Sequence, residues 1–342
     1  MAVDGGGSKT DVVALTLTGR LVAQARGGCS SPQIVGLAAA TQTIGALIAE
    51  ATAQSEGRAL ARVGMYLSGL DLPREITAFS AAIADETWAQ GGGRTIVDND
   101  LFALLRAGTT EPDAIAIVCG TGINCVGVRA DGATVRYPAL GTISGDWGGG
   151  WHLGEQALWH AARAVDGRGE PTSLTVAIPA VFGLRDIHTV IEALHFESLD
   201  QAELAALTPT IFDAASAGDT VAGLLLDRQA EEVVAFAVSS LRRLELMEHE
   251  TPIVLGGGLI GAQHPRLMAG IETGLALQAP RARIKLVTAP PILGAALLVL
   301  ESIGAEAAVL ERATLEIRDI RRLVSRRGSL RELRLNRHPP TG

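Results

Sequence analysis

Asp4-Gly5-Gly6-Gly7-Ser8-Lys9-Thr10 is the stretch whose reading decides the fold. A short apolar lead, residues 1–3, runs into it. Residues 11–17, with Val12, Val13, Leu15 and Leu17, read as a strand returning from it. Thr18-Gly19-Arg20 then turns the chain into a third strand at 21–25. Chain reversal alone does not call for so much glycine. A phosphate does, because several N–H donors must converge on it, side chains block that approach, and glycine also permits positive φ. Ser8 and Thr10 add hydroxyl donors. The stretch is no Walker A loop, since it lacks the four-residue gap and opens a hairpin. Nor is it a dinucleotide turn, because no helix follows at once.

Further along, the same grammar starts again. Residues 114–119 read as a strand, Gly120-Thr121-Gly122 as a turn, 123–128 as a strand, Ala130-Asp131-Gly132 as a turn and 134–137 as a strand. Two β-turn-β-turn-β openings point to a duplicated domain. A third glycine turn, Gly256-Gly257-Gly258, follows the apolar strand at 252–255. One such turn is a weak signal. Three, each directly after an apolar strand and two in matching halves, assign phosphate binding to Gly6, Gly7, Ser8, Lys9 and Thr10, to Gly120, Thr121 and Gly122, and to Gly257 and Gly258. Between the two openings the chain reads as helices at 38–53 and near 75–84 and parallel strands at 63–67 and 95–100. After them come helices at 151–165, 186–193, 200–217, 219–247 and, behind Pro290-Pro291, 290–303.

A chain of 342 residues is long enough for two domains with sizeable cores, and 47% hydrophobic against 19% charged residues describes a globular protein. The net charge of −8 argues against a nucleic-acid partner. An anionic nucleotide is still compatible with it, because backbone N–H groups and a local cation suffice. Cys29, Cys119 and Cys125 form no metal-ligand spacing. No apolar run reaches the ~18 residues of a membrane span, and the first residues are acidic and glycine-rich where a signal peptide is basic and then apolar. A cytoplasmic protein without a membrane partner is expected. The tail differs in kind, with 9 arginines against 3 acids from Arg312 to Arg337. It reads as a solvated surface helix, or else as an oligomer contact or anion-binding arm.

Phosphoryl transfer to a hydroxyl calls for a carboxylate that orients the hydroxyl and takes its proton. Asp98 and Asp100, in Ile-Val-Asp-Asn-Asp, both stand at the end of a strand, where alternation points them to one face and leaves the choice open. Either also suits the N-cap of the helix that follows. Asp4 reads as an Asx-turn residue or a metal contact. Asp146 stands among Gly145, Gly148, Gly149 and Gly150, a backbone able to press against a flat polar ligand. Trp147 and Trp151 read as stacking platforms or core anchors, and His152 as structural.

Taken in order, the Asp4–Thr10 stretch, Val97-Asp98-Asn99-Asp100, Cys-Gly-Thr-Gly-Ile-Asn at 119–124, Gly-Asp-Trp-Gly-Gly-Gly-Trp-His-Leu-Gly at 145–154 and 255–259 resemble the N-acetylglucosamine kinase and BadF/BadG-type ATPase family of the actin/hexokinase superfamily. The resemblance runs from about residue 2 to residue 303. It implies an α/β protein of two duplicated RNase-H-like lobes around a central cleft, with lobes at 1–110 and 111–304, helix 290–303 packing back toward the first lobe, and a tail at 305–342. It implies ATP with Mg²⁺, an amino sugar such as N-acetylglucosamine phosphorylated on its 6-hydroxyl, and a homodimer. By the same resemblance Asp100 is favoured over Asp98 as the base, Asp4 reaches the metal, and Gly218 marks the helix break that meets the adenine. Asp146 binds the sugar, Gly141 and Gly145 line it, and Asn124 follows the second turn on the substrate side.

The chain departs from the family on that substrate side. Ser31 or Gln33 stands where an Asn is usual, and Pro138-Ala139-Leu140-Gly141 replaces Gly-Gly-Trp-Gly. Two other functions remain open. An ATPase that activates a dehydratase through an iron–sulfur cluster needs two cysteines per subunit, but here Cys119 and Cys125 flank the second glycine turn, where a cluster would collide with ATP. A non-catalytic regulator would keep the turns and lose the base, which Asp100 argues against.

Overall fold

Strand β1 (Ala2–Gly5) is buried along its apolar length because it is paired on both edges. It runs antiparallel to β2 (Thr10–Leu15), with Asp4 opposite Asp11, and parallel to β4 (Val63–Leu67), with Asp4 opposite Tyr66. With β3 (Leu21–Gly27) and β5 (Thr95–Asn99) the sheet order is β3-β2-β1-β4-β5. The computed structural model describes residues 1–318 except 57 and 91–93, so the arginine-rich segment from 319 onward lies outside the described residues.

Alternation decides what each face of this sheet meets. Val3, Val12 and Met65 join Ile44, Leu47 and Ile48 of α2 (Leu37–Gln54) in one core. Ala2, Val13 and Tyr66 turn the other way, onto α12 (Pro291–Glu301). Asp4 therefore leaves the sheet on the α12 face. Here α12 lies along α4 (Asp100–Gly108), which starts directly after β5 and carries Asp100 as its first residue. Arg106 fixes the pair with two bonds to Glu301 Oε1, at 2.9 and 2.6 Å.

The second sheet repeats the topology. Strands β6 (Ala114–Cys119), β7 (Ile123–Val128) and β8 (Thr134–Arg136) form the antiparallel part, and β9 (Pro252–Gly256) and β10 (Arg283–Leu286) extend it in parallel, giving β8-β7-β6-β9-β10. This is the order of the first sheet, element for element, so the duplication read from the glycine turns is present in the backbone. Helices α5 (Gly149–Val165) and α9 (Thr220–Arg243) contribute much of the surrounding core. Among the described residues the chain forms one unit from 1–108 with 288–318, and a second from Thr109–Val287. Among the described residues no helix is long and apolar enough to cross a membrane.

The approach of α12 to α4 is as close as backbone allows. A Cβ on Gly294 would lie 1.8 Å from the carbonyl oxygen of Ala103 and 2.7 Å from the nitrogen of Ala107. Gly45 in α2 has nothing within 4 Å of the same position. The two glycines should respond oppositely in urea unfolding. Gly294→Ala is expected to lose about 1–3 kcal/mol through overpacking, and Gly45→Ala to gain up to about 1 kcal/mol from the stiffer unfolded chain. A neutral Gly294→Ala would show that the helices separate at no cost.

Candidate active site

In the first unit β1, β4 and β5 are parallel, so their carboxyl ends share one edge of the sheet. The glycine turn leaves the end of β1. Its Gly6 N–H bonds Lys9 O at 2.8 Å, leaving Gly7, Ser8 and Lys9 at an exposed tip. Gly5 is required for packing, since a Cβ there would lie 2.3 Å from Ser30 Oγ and 2.5 Å from Leu67. Thr10 faces inward: its hydroxyl donates to Gly28 O at 2.7 Å and lies 2.7 Å from Ser30 Oγ. Lys9 Nζ is 3.2 Å from Asp11.

Three carboxylates converge at this edge, and all are raised. Burial pushes Asp4 up to about 8, with the Asp100 and Asp11 charges adding to it and Lys9 opposing. Asp100 rises to about 6 through burial, moderated by its own backbone N–H and that of Leu101 at the start of α4. Asp71 rises to about 7 through burial, then the charges of Asp100 and Glu75, while bonds from Gln33 and Asn99 pull it back. Asp98 stays in β5, opposite Tyr66, whose hydroxyl it helps to raise. The strand ends at Asn99, so the alternation argument stops short of Asp100 and no longer ties the two acids together.

Sequence reasoning missed Asp71 and the role of Asn99. Buried Asn99 donates through Nδ2 to Asp71 Oδ1 at 2.9 Å and accepts through Oδ1 from Leu101 N–H at 3.0 Å, which caps α4. Gln33 donates to Asp71 Oδ2 at 3.1 Å and to Glu75 Oε1 at 2.9 Å. Ser31, 2% exposed, packs against Gly69 (φ +76°), where a Cβ would meet its hydroxyl at 2.5 Å. The segment around Ser31 and Gln33 is thus joined to the acids.

In the second unit the turn at Gly120-Thr121-Gly122 is held from below. Gly150 N–H bonds Gly120 O at 2.8 Å and Trp151 N–H bonds Thr121 O at 2.9 Å, so the start of α5 occupies the carbonyls and leaves Thr121 and Gly122 exposed. Gly149 (φ +80°) passes so near that a Cβ would lie 2.5 Å from Gly122 Cα, and Gly257 (φ +94°) would clash at 2.2 Å with Cys119 O. The structure therefore brings the turns at 120–122 and 256–258 together. Gly258 begins the single turn α10 (Gly258–Gly261). Asn124 sits in β7, its Oδ1 accepting from Cys125 N–H. Gly218 (φ +91°) precedes the cap of α9, with nothing within 4 Å of where its Cβ would be. Asp219 caps that helix and gathers Thr172 and Ser173.

The loop with Asp146 begins at Gly141 (φ +73°), makes one tight turn through Gly141–Ser144 and ends at Gly145 (φ +82°). Asp146 N–H bonds Gly141 O at 3.1 Å, Ser144 Oγ donates to its carboxylate, and the residue is only 6% exposed. Gln229 of α9 supports the next segment by accepting from Gly149 N–H at 2.8 Å. Trp147 is buried beneath the Arg228 guanidinium, 4.1 Å above its ring. Cys119 and Cys125 are core thiols, both raised by burial. Such thiols are poor metal ligands, and among the described residues no group of three or more His, Cys, Asp or Glu is placed to hold a metal.

Two duplicated α/β units, each with a glycine turn at the end of its central strand and one with gathered acids, define a phosphate-handling protein of the actin/hexokinase type. The chain belongs to the BadF/BadG/BcrA/BcrD ATPase family, which it matches over residues 2–299. It is 28% identical over 88% of its length to the N-acetyl-D-glucosamine kinase of Dictyostelium discoideum, covering 98% of that protein. To the N-acetylmuramic acid/N-acetylglucosamine kinase of Clostridium acetobutylicum it is 26% identical, covering 76% of this chain and 85% of the other. The crystal structure of a candidate N-acetylglucosamine kinase from Chromobacterium violaceum superposes with a TM-score of 0.66 at 25% identity, over 87% of this chain and 97% of that one.

The raised acids have a sign that can be measured. Asp4 holds its proton to about 8 when folded against an ordinary 3.8, so its contribution to stability is fully present below about pH 4 and is lost as pH rises toward 8. Asp4→Asn should therefore be more stable than the parent at pH 8 by chemical denaturation, with the gap closing near pH 4. A variant less stable at pH 8 would mean that the Asp4 charge is already compensated.

Proposed function

We propose that the protein is an ATP-dependent kinase of a small amino sugar of the N-acetylglucosamine type, acting on the 6-hydroxyl with Asp100 as general base. One observation carries this reading: Asp100 begins α4 as a half-buried carboxyl raised to about 6 by burial, and its charge is close enough to Asp4 to raise that carboxyl as well. The kinases named above support the substrate class. A carboxylate near 6 is ionised at neutral pH and yet basic enough to take a proton in the transition state.

In this mechanism the sugar hydroxyl donates to Asp100, which takes its proton as the oxygen bonds to the γ-phosphorus and the bond to the departing ADP oxygen breaks. The turns at Gly6–Lys9 and 120–122, with Gly257 and Gly258, hold the phosphates, the Gly6 and Gly120 N–H groups closing the turns by bonding Lys9 O and Gly122 O. Asp146 orients the sugar. Asp4 fits a divalent cation: a buried carboxyl crowded by like charges gains from one, and Mg²⁺ takes one or two carboxylates while its other positions go to water and phosphate oxygens. When bound, Mg²⁺ neutralises phosphate charge.

An ADP-release assay over N-acetylglucosamine, glucosamine, N-acetylmannosamine, glucose and no sugar tests the reading. Release should depend on sugar and be fastest with an N-acetylated hexose; equal release without acceptor would leave an ATPase. The rate should rise with pH through about 6, as Asp100 loses its proton. Asp100→Asn should cost about 10²–10⁴-fold in kcat with ATP binding retained. Survival of more than about a tenth of the rate would remove Asp100 from the role of base.

A further inference from the structure

His152 reads in sequence as a packing residue, but its hydrogen bonding in the structure is incomplete. The ring is 5% exposed, in the first turn of α5. Its Nδ1 lies 2.9 Å from Gly148 O, and a carbonyl can only accept, so Nδ1 carries the proton. In the neutral ring Nε2 is then a bare acceptor. It is one of the few buried side-chain atoms among the described residues without a hydrogen-bond partner. Burying an acceptor unpaired forfeits its bond to water, so such atoms are rare without a reason.

Packing around the ring shows from which side a partner can come. Trp147 and Trp151 flank it, with ring centroids at 6.0 and 4.8 Å. The edge with Nε2 faces Gly141, where an added Cβ would lie 3.6 Å from Cε1 and 3.9 Å from Nε2. Nε2 is itself enclosed, and glycine puts only backbone on this side of the ring, so a donor reaches the nitrogen where the Gly141 loop gives way to admit it. Gly141 also opens the loop that holds Asp146, through its carbonyl bond to Asp146 N–H. The imidazole and the buried carboxylate therefore back the same loop, and both are acceptors. The nearby charges on α9 do not satisfy the nitrogen: Arg228 is stacked on Trp147, and Glu232, which feels both Asp146 and His152, is itself an acceptor when ionised.

We infer that His152 is a specificity-determining residue of the acceptor site: its Nε2 accepts a hydrogen bond from a hydroxyl or amide N–H of the sugar that Asp146 holds. The inference rests on the kinase reading above and adds to it a chemical preference. A ligand offering a donor at this point completes the buried nitrogen, and an analogue lacking that donor leaves it orphaned, which is the arrangement that rejects missing groups most strongly.

Steady-state kinetics with N-acetylglucosamine and a set of its singly deoxygenated and N-substituted analogues tests this in the full-length protein. His152→Phe should raise the sugar KM roughly tenfold, one hydrogen bond's worth, with the ATP KM unchanged. For one analogue, already poor with the parent protein, the same variant should cause no further loss. His152→Gln, which returns an acceptor at similar reach, should recover most of the sugar KM. An unchanged sugar KM in His152→Phe, or an equal loss for every analogue together with a fall in melting temperature, would overturn the inference. Absence of turnover by the parent protein with every sugar would instead overturn the kinase reading beneath it.

Discussion

Parallel pairing of β1, β4 and β5 brings three chain exits to one edge of a sheet, and there the protein gathers Asp4, Asp71 and Asp100 against their mutual repulsion and their loss of water. Nothing in folding favours such a cluster, since each ionised carboxylate prefers bulk solvent. It persists because the surrounding framework over-determines it. Asn99 ties Asp71 to the cap of α4, and Gln33 holds the same carboxylate from the far side. The contact of Gly294 with the backbone of α4 and the Arg106–Glu301 bonds keep the helix from backing away. The helix start lends Asp100 two N–H groups, which is why the least raised of the three is the one proposed to work as a base.

The second unit has the same strand order and the opposite chemistry. Where β1 has Asp4 next to its last residue, β6 has Val118. The carboxylates of one copy are replaced in the other by packed glycine: Gly149 against Gly122 and Gly257 against Cys119, both at distances that exclude a Cβ. Duplication supplied two equivalent strand ends, and the residues placed there divide the work. One end gathers carboxyls, among them the proposed base, and the other a turn packed on glycine, the kind of backbone suited to an anion.

How much of this was legible follows from which signals are local. Alternation and glycine turns are, so the two hairpin openings, the parallel strands expected at 63–67 and 95–100 and most of the helices stand within a residue or two of their expected places, whereas the helix expected at 219–247 ends at Arg243 and the stretch 200–217 is a 3₁₀ segment, Gln201–Leu207, followed by a helix at Thr208–Ser216. Strand β10 and helix α11 (Pro265–Gln278) were not read, because Arg-Ile-Lys-Leu is a short edge strand with two cations and α11 is rich in small residues. Alternation alone could not choose between Asp98 and Asp100, for a structural reason: period two applies only while the strand lasts, and it ends between them at Asn99. Asp71 carried no pattern at all. A lone acid in a loop acquires meaning only when Gln33 and Asn99, distant in sequence, close on it.

The same limit governs His152. Sequence shows a histidine beside two tryptophans, for which packing is the economical reading, and the packing is there. What it does not show is which ring nitrogen finds a partner. That depends on Gly148 holding its carbonyl toward the ring at φ +130°, a conformation open to glycine, at a place where a Cβ would also lie 2.8 Å from Gln229 Nε2. Glycine thus acts twice in this loop: at 148 it lets the carbonyl fix the tautomer, and at 141 it puts only backbone beside the edge of the ring that carries the other nitrogen.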